Sequence, residues 1–377
     1  MAITIRSRPA RNHLQYVFIG ATVLAAFAAV LPIAAGVLAG VGIHGTTATA
    51  FASAPSGQYV VVSRPEDDHD VIAVVPAGGG DAVEIARVPH LPGFTASGAV
   101  SPNGRMLALV TVDGGSPAHP EASLLVLDLQ SGEQRHLAQA VDPLQTATWA
   151  RDGLSLVVTR QLDAGRARPD VRFLRVALSG GAAAELFDVS APLGAYAVGF
   201  DTDGALLSVS IDGAGSHLLR AGAKFQELSA EITRDWRLNA DATRLAFVEA
   251  NLEGGLRYLA RTVRVGGGEG AVVEAQSALT SGQQLGAAWK PGEDSATFGR
   301  EPGGAAQSSE IGRAEAQSTR SGFDVPLEYA PDGSTLSVTH WTGASYAQPG
   351  AASLQLLSGG NRTEMTGFSR FHGWATR

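Results

Sequence analysis

The densest group of side chains that could do chemistry is Glu66-Asp67-Asp68-His69-Asp70, whose carboxylates could attract a divalent cation. Consecutive residues rarely aim at one centre, so the run reads first as a solvated loop, with a weak metal site or a protein-docking patch as the alternative. Asp201, Asp203 and Gly204 open like a calcium loop, but the later ligands and the closing Glu are missing, which leaves a turn. The nine histidines are scattered without a His-x-x-x-His pair, and His90, His119 and His340 read as loop or packing residues. With no cysteine, disulfides, thiolate catalysis and Cys-ligated zinc are excluded together. No G-x-S-x-G elbow occurs, and Gly213-Ala214-Gly215-Ser216-His217 reads as a glycine-rich turn between strands. Gly266-Gly267-Gly268-Glu269-Gly270 lacks the Lys-Ser/Thr that opens a P-loop helix, so it too reads as a turn. No catalytic, cofactor-binding or metal residue is assigned on these grounds, no cofactor is implied, and the chain reads as a non-enzyme.

Several of these candidates sit in a larger pattern. Ser101-Pro102-Asn103-Gly104 precedes the apolar run Met106 to Val110, and related triplets begin at Pro55, Arg151, Thr202, Ala240, Pro291 and Pro331. Pro fixes φ, Asp or Asn bonds to nearby backbone, and Gly accepts positive φ, so each triplet suits a tight turn. A recurrence every 40 to 50 residues or so, with about four strands in each unit, predicts an all-β fold, a β-propeller. Two positions before each triplet stands a large apolar residue: Val100, Trp149, Phe200, Leu238, Trp289 and Tyr329. The first unit has Ser53 there instead. Its missing partner lies at the C-terminus, where Phe371 to Thr376 resembles Gln145 to Ala150, and Trp374 takes the bulky position. The expectation is seven four-stranded blades, with the Trp374 strand completing the blade that residues 58–90 begin. The alternative gives the first blade an inner strand from Thr46 to Phe51 and leaves the C-terminal strand as the remnant of an eighth. The sixth unit, around Gly299 to Ser318, is the most degraded, and the tryptophans are expected to pack between blades.

The N-terminus differs in kind. Arg6, Arg8 and Arg11 precede Tyr16 to Ile43, a run of 28 residues without a charge, and no charge follows until Arg64. About 20 residues suffice to cross a bilayer as a helix, so residues 1–14 are expected as a cytoplasmic tail, 15–43 as a transmembrane helix, 44–57 as a linker and 58–377 as the propeller. The positive-inside rule puts the N-terminus in the cytoplasm of a bacterium and the ring in the periplasm or outside. A signal peptide cleaved near Ala48-Thr49-Ala50 is the competing reading, although its apolar core would be about twice the usual length. Gly36 and Gly40, with Ala21, Ala25 and Ala29, offer a small-residue face on which a partner helix could pack. Apart from the three N-terminal arginines, 36 acidic side chains stand against 25 basic ones, which argues against a nucleic-acid partner.

Ala99-Val100-Ser101-Pro102-Asn103-Gly104-Arg105-Met106-Leu107-Ala108-Leu109 and Glu328-Tyr329-Ala330-Pro331-Asp332-Gly333-Ser334-Thr335-Leu336-Ser337-Val338 resemble the WD40-like repeat of TolB-type propellers. The resemblance runs from about residue 55 to the C-terminus and is close in the second, third and seventh units. It implies a ring that serves as a platform for other proteins. The chain lacks the α/β domain that precedes the TolB propeller and the hydrolase domain that accompanies the prolyl oligopeptidase propeller, so neither activity is carried over. The expected function is a membrane-anchored interaction scaffold, or an accessory subunit of a respiratory, photosynthetic or secretion complex. The alternatives are a soluble periplasmic adaptor and a propeller that binds or converts a small molecule in its central funnel.

Overall fold

Each recurrent turn folds because its polar side chain satisfies the backbone it bends. In the second unit the Asn103 Oδ1 accepts from the Ser101 hydroxyl (2.7 Å) and the Arg105 N–H (3.1 Å), and the Ser101 Oγ accepts from the Met106 N–H at 2.9 Å. The aspartates of later units act alike: Asp152 accepts from Leu154 N–H at 2.8 Å, Asp241 from Thr243 N–H at 3.1 Å and Asp332 from Ser334 N–H at 2.9 Å. Such Asx turns leave the strands on either side antiparallel and adjacent.

The computed structural model describes residues 51–117, 119–163, 165–252, 256–266, 274–275, 283–301 and 322–377. These form seven sheets, six of them four-stranded blades with antiparallel neighbours. The innermost strands, in ring order from the first blade, are Arg370–Thr376, Ser97–Val100, Thr148–Trp149, Gly194–Phe200, Ile232–Leu238, Gln283–Trp289 and Phe323–Tyr329. The C-terminal strand pairs with Gln58–Pro65, bringing Trp374 opposite Val60 and Ala375 opposite Tyr59, so both chain ends share the first blade as expected. Phe51 belongs to no strand; its ring meets Tyr59 edge-on, with centroids 5.1 Å apart.

The expectation of seven full blades is corrected to six. In the sixth position only Gln283–Trp289 and Ala296–Glu301 pair as strands among the described residues, and most of the degraded unit lies outside them. No helix among the described residues is long and apolar enough to cross a membrane. The span 16–43, with Gly36 and Gly40, lies outside them as well.

The core is divided among the junctions between sheets. Leu107 and Leu109 of the second blade are buried with Tyr59, Val61 and Ile72 of the first, whereas the alternate residues Ala108 and Val110 pack toward Trp149, Leu156 and Val158 of the third. Both faces of a blade are therefore covered, which is why its middle strands read as continuous apolar runs rather than as alternation. Each fully buried Leu or Val contributes about 1.5–3 kcal/mol relative to exposure. The last junction, where Val60, Val62 and Trp374 meet Ala330, Leu354 and Leu356, closes the ring.

Candidate functional site

Six of the inner strands end at a recurrent turn, the C-terminal strand having none, and in all seven the residue just before the bulky one occupies the matching position. Around the ring these residues are Gly373, Ala99, Thr148, Gly199, Arg237, Ala288 and Glu328. Five are small and uncharged; Arg237 and Glu328 are exposed and of opposite sign. Bulges precede Arg237 and Glu328 in their strands, where the register slips against the second strand. The Arg237 Nη1 donates to the Trp236 carbonyl at 3.2 Å, and the Glu328 backbone is held in both directions by the Ser337 hydroxyl, at 3.2 and 2.8 Å. The Glu328 carboxylate itself accepts no hydrogen bond from the described residues. The residue keeps exposed surface, yet protein crowds the carboxylate, and lost hydration pushes its pKa up to about 7 against the pull of Arg237.

A second constellation crosses the reduced sheet. The loop at 342–351 of the seventh blade carries Tyr346, whose hydroxyl accepts from Arg234 Nη1 of the fifth blade at 2.8 Å. The guanidinium lies over the rings of Tyr258 and Tyr346, at 5.5 and 5.6 Å. Burial opposes its charge, but Asp235 and the two tyrosines outweigh burial and hold its pKa above the ordinary value. Asp235 adopts φ of 56°, in the left-handed region that non-glycine residues seldom occupy. In that conformation its carboxylate accepts from Arg234 Nε and from the Gly286 N–H of the sixth sheet, both at 3.2 Å. Buried Glu301 accepts from the Tyr346 N–H at 2.9 Å. The Gln283 and Gln284 side chains accept from Tyr258 N–H (3.1 Å) and Ala260 N–H (2.8 Å), capping backbone that faces the two-stranded sheet. The arrangement braces the ring where the described strands are fewest.

A third polar group lies where the first and second blades meet. Asp70 is fully buried and its Oδ2 accepts from the Ala96 N–H at 2.5 Å. With Nδ1 of His90 hydrogen-bonded to the Leu91 carbonyl (2.9 Å), its Nε2 lies 3.7 Å from the same Asp70 oxygen. Burial pushes the Asp70 pKa up. His372 on the closing strand bonds to the Ser63 Oγ at 2.9 Å, and burial, aided by Arg370, takes its pKa down to about 4, so the ring is neutral at pH 7. Next to this seam a cavity of about 310 Å³ is lined in part by His90, Thr111, Asp113, Gln134 and His136.

The residues singled out in the sequence are dispersed. Glu66 and Asp68 are matched by Arg64 at 3.0 Å and His69 at 2.7 Å in the expected surface loop, while Asp70 turns inward. Asp201 accepts from the N–H groups of Asp203 (2.9 Å) and Ala205 (2.8 Å) and from Arg220, as a turn residue. Gly215 and His217 lie in a hairpin strand, His119 is exposed at the start of a strand that is buried further on, and residues 267–270 fall outside the described residues. Among the described residues no three His, Asp or Glu side chains are placed to hold a metal ion. His340 is more than packing: its Nδ1 lies 2.7 Å from buried Asp324, which Arg362 also grips. Sequence reading missed Arg237 and Glu328, although aligning the repeats on their bulky residues would have found them.

No protein-family model matches the sequence, and comparison with curated proteins finds no match. Solved structures do resemble it. A prolyl endopeptidase aligns with a TM-score of 0.56 at 13% identity, over 83% of this chain and 48% of its own. A 6-phosphogluconolactonase-like protein from Bacteroides fragilis aligns at 0.52 and 11% identity, over 84% and 96%. TolB from Acinetobacter baumannii aligns at 0.50 and 13% identity, over 85% of this chain and 66% of TolB. The chain thus spans about half of the endopeptidase and about two thirds of TolB. At such identities the likeness establishes the fold alone, a β-propeller.

Proposed function

We propose that this chain is a membrane-tethered, extracytoplasmic interaction scaffold, an accessory subunit whose ring binds other proteins and does no chemistry of its own. One observation on the ring supports it most directly. On the face away from the recurrent turns, Leu144, Leu193, Leu252 and Leu256 of the third, fourth and fifth blades are 71%, 40%, 38% and 49% exposed. The Gln145 side chain donates to the Ala195 carbonyl at 2.7 Å and so draws the loops of Leu144 and Leu193 together. Leu144 and Leu193, apolar side chains left in water on loops joined in this way, suit a protein partner. The arginines ahead of the uncharged span and the lack of charge until Arg64 support a tether with the ring outside the cytoplasm.

The test is mild detergent extraction from the native membrane, separation at native mass and identification of whatever co-migrates, for the wild type and for Leu144→Glu with Leu193→Glu. A stoichiometric membrane protein that accompanies the wild type and is lost from the folded double variant is the expected result. A chain that migrates alone after crosslinking, near its own 38.8 kDa, would end the proposal.

A further inference from the structure

The junction between the first and second blades changes character along its length. On the second blade's strand Met106–Ser116, the residues facing the first blade begin as Leu107 and Leu109 and continue, at the same alternation, as Thr111 and Asp113. The next strand changes in step, from Leu127 and Leu125 to Ser123, whose hydroxyl donates to the Asp113 carboxylate at 3.0 Å. Where this polar end meets the end of the strand Val83–Pro89 and the turn that follows it, the two sheets leave the cavity of about 310 Å³. Val88, Leu91 and Leu125 supply its apolar wall, and Thr111, Asp113 and Gln134 its polar one. The polar wall is made of acceptors. The Thr111 hydroxyl donates to the Pro89 carbonyl at 3.0 Å and the Gln134 amide to the Arg87 carbonyl at 3.1 Å, which leaves both side-chain oxygens to accept. In the turn, the N–H groups of His90 and Leu91 donate to the carbonyls of Asp68 (2.9 Å) and Val112 (2.7 Å), and His90 Nδ1 donates to the Leu91 carbonyl with Nε2 toward Asp70. Among the described residues the one basic group paired with Asp113 is His136, whose Nδ1 is 3.9 Å away, beyond hydrogen-bond reach. Of the side chains lining the cavity, only His136 and the second amide N–H of Gln134 still have a hydrogen to give, both at its exposed side.

We propose that this cavity binds a small organic cation, an ammonium group on a compact apolar body. The ammonium lies on the Asp113 carboxylate, with the oxygens of Gln134 and Thr111 to accept its other hydrogens, and the apolar body lies against Leu91 and Leu125. An anion would meet acceptors and a negative charge. A neutral alcohol brings one hydrogen to three acceptors and no charge to Asp113, whereas an ammonium brings three hydrogens and the charge together. The volume stands at the lower end of the roughly 300–1,000 Å³ of ligand pockets, which keeps the body small.

Calorimetric titration of the full-length chain in mild detergent tests this, with phenethylammonium as the probe and titration into detergent alone as the blank. Phenylethanol and phenylacetate, of similar shape, serve as the neutral and anionic controls. Phenethylammonium should bind saturably, and both controls should bind about tenfold more weakly or worse. Methylammonium should bind more weakly than phenethylammonium, because it leaves the apolar wall uncovered. Asp113→Asn should weaken binding by about tenfold or more, and Asp113→Lys, which brings its own ammonium to the cavity, should abolish it. Circular dichroism and melting of each variant separate loss of the site from loss of the fold. Failure of phenethylammonium to saturate the folded wild type at millimolar concentrations would overturn the proposal. So would phenylethanol or phenylacetate binding as tightly, or folded Asp113 variants that bind as the wild type does. None of these results bears on the partner test, whose leucines stand on other blades.

Discussion

Trp149 donates its indole N–H to the main-chain carbonyl of Ala99, one blade back, at 2.8 Å. The relationship repeats: Trp289 reaches the Arg237 carbonyl at 2.9 Å and Trp374 the Glu328 carbonyl at 3.4 Å. Each acceptor immediately precedes the bulky residue of its own strand, so one tryptophan both fills a junction and ties two inner strands. Replacing Trp149 by Phe keeps most of the apolar burial and removes the bond, which should cost about 1 kcal/mol. Trp374→Phe should cost less, because its bond is long. Denaturant midpoints of the two variants would show the order, and a larger loss at Trp374 would contradict it.

The ring was legible because its turns repeat, and so was the place of the tryptophans between blades, but not their hydrogen bonds. Seven occurrences of one triplet, six of them preceded by a large apolar residue, reveal a period that no single copy would, and the C-terminal strand, which repeats the bulky residue without the turn, announced the closure. What occurs once was not legible. Asp324, His340 and Arg362 lie 16 and 38 residues apart and meet only because they stand on the first, second and fourth strands of one blade, with the Arg362 side chain reaching across the third. Asp70 and His90 likewise meet across a sheet, and nothing local distinguishes them from a loop acid and a loop histidine. The two-stranded sixth sheet was foreshadowed by the decay of its repeat, but its brace was not: Tyr346 comes from another blade and Asp235 is held in an uncommon backbone conformation.

The closure makes one turn glycine different from its counterparts. Gly104 has φ of 70°, and a Cβ there would stand 2.7 Å from the backbone nitrogen of Thr376 on the closing strand. Gly204 has φ of 80° at the matching place in the fourth blade, with nothing within 4 Å. Gly204→Ala should therefore cost only the backbone strain, about 1 kcal/mol. Gly104→Ala adds a clash with main chain that cannot rotate away, and should destabilise by about twice as much or more. Thermal melts of the two variants decide this, and equal losses would show that the closing strand yields easily.

Removing that strand should be far more severe. Deleting Ser369 to Arg377 takes away the partner of Gln58–Pro65, the buried Trp374 and Ala375, and the His372 contact to Ser63. The first blade would be left with an unpaired inner edge facing the ring's centre. The truncated chain should lose its cooperative melt and become sensitive to limited proteolysis. A truncation that melts at the full-length temperature would show that the ring does not depend on its closure.

Asp324 and Glu328, four residues apart on one strand, should move stability in opposite directions with pH. Burial alone would raise the Asp324 pKa, but hydrogen bonds from His340 and Arg362 and the guanidinium charge outweigh it and hold the value below the ordinary one. A depressed folded pKa contributes stability that is present above the unfolded value, about 3.9, and lost as pH falls through the folded one. Asp324→Asn should cost about 3 kcal/mol at pH 7 by leaving Arg362 unmatched, and the gap to wild type should shrink in acid. Glu328 is the reverse. Its folded pKa of about 7 exceeds the unfolded value of about 4.3, so its contribution is fully present below the latter and is lost as pH rises through 7. Glu328→Gln should accordingly match wild type near pH 4 and melt above it at pH 8, by an amount that the exposure of Glu328 keeps small. Melting temperatures of both variants across that range test the pair. A Glu328→Gln protein that melts below wild type at pH 8 would mean that the ionised carboxylate is stabilised by Arg237 more than it is penalised by its surroundings.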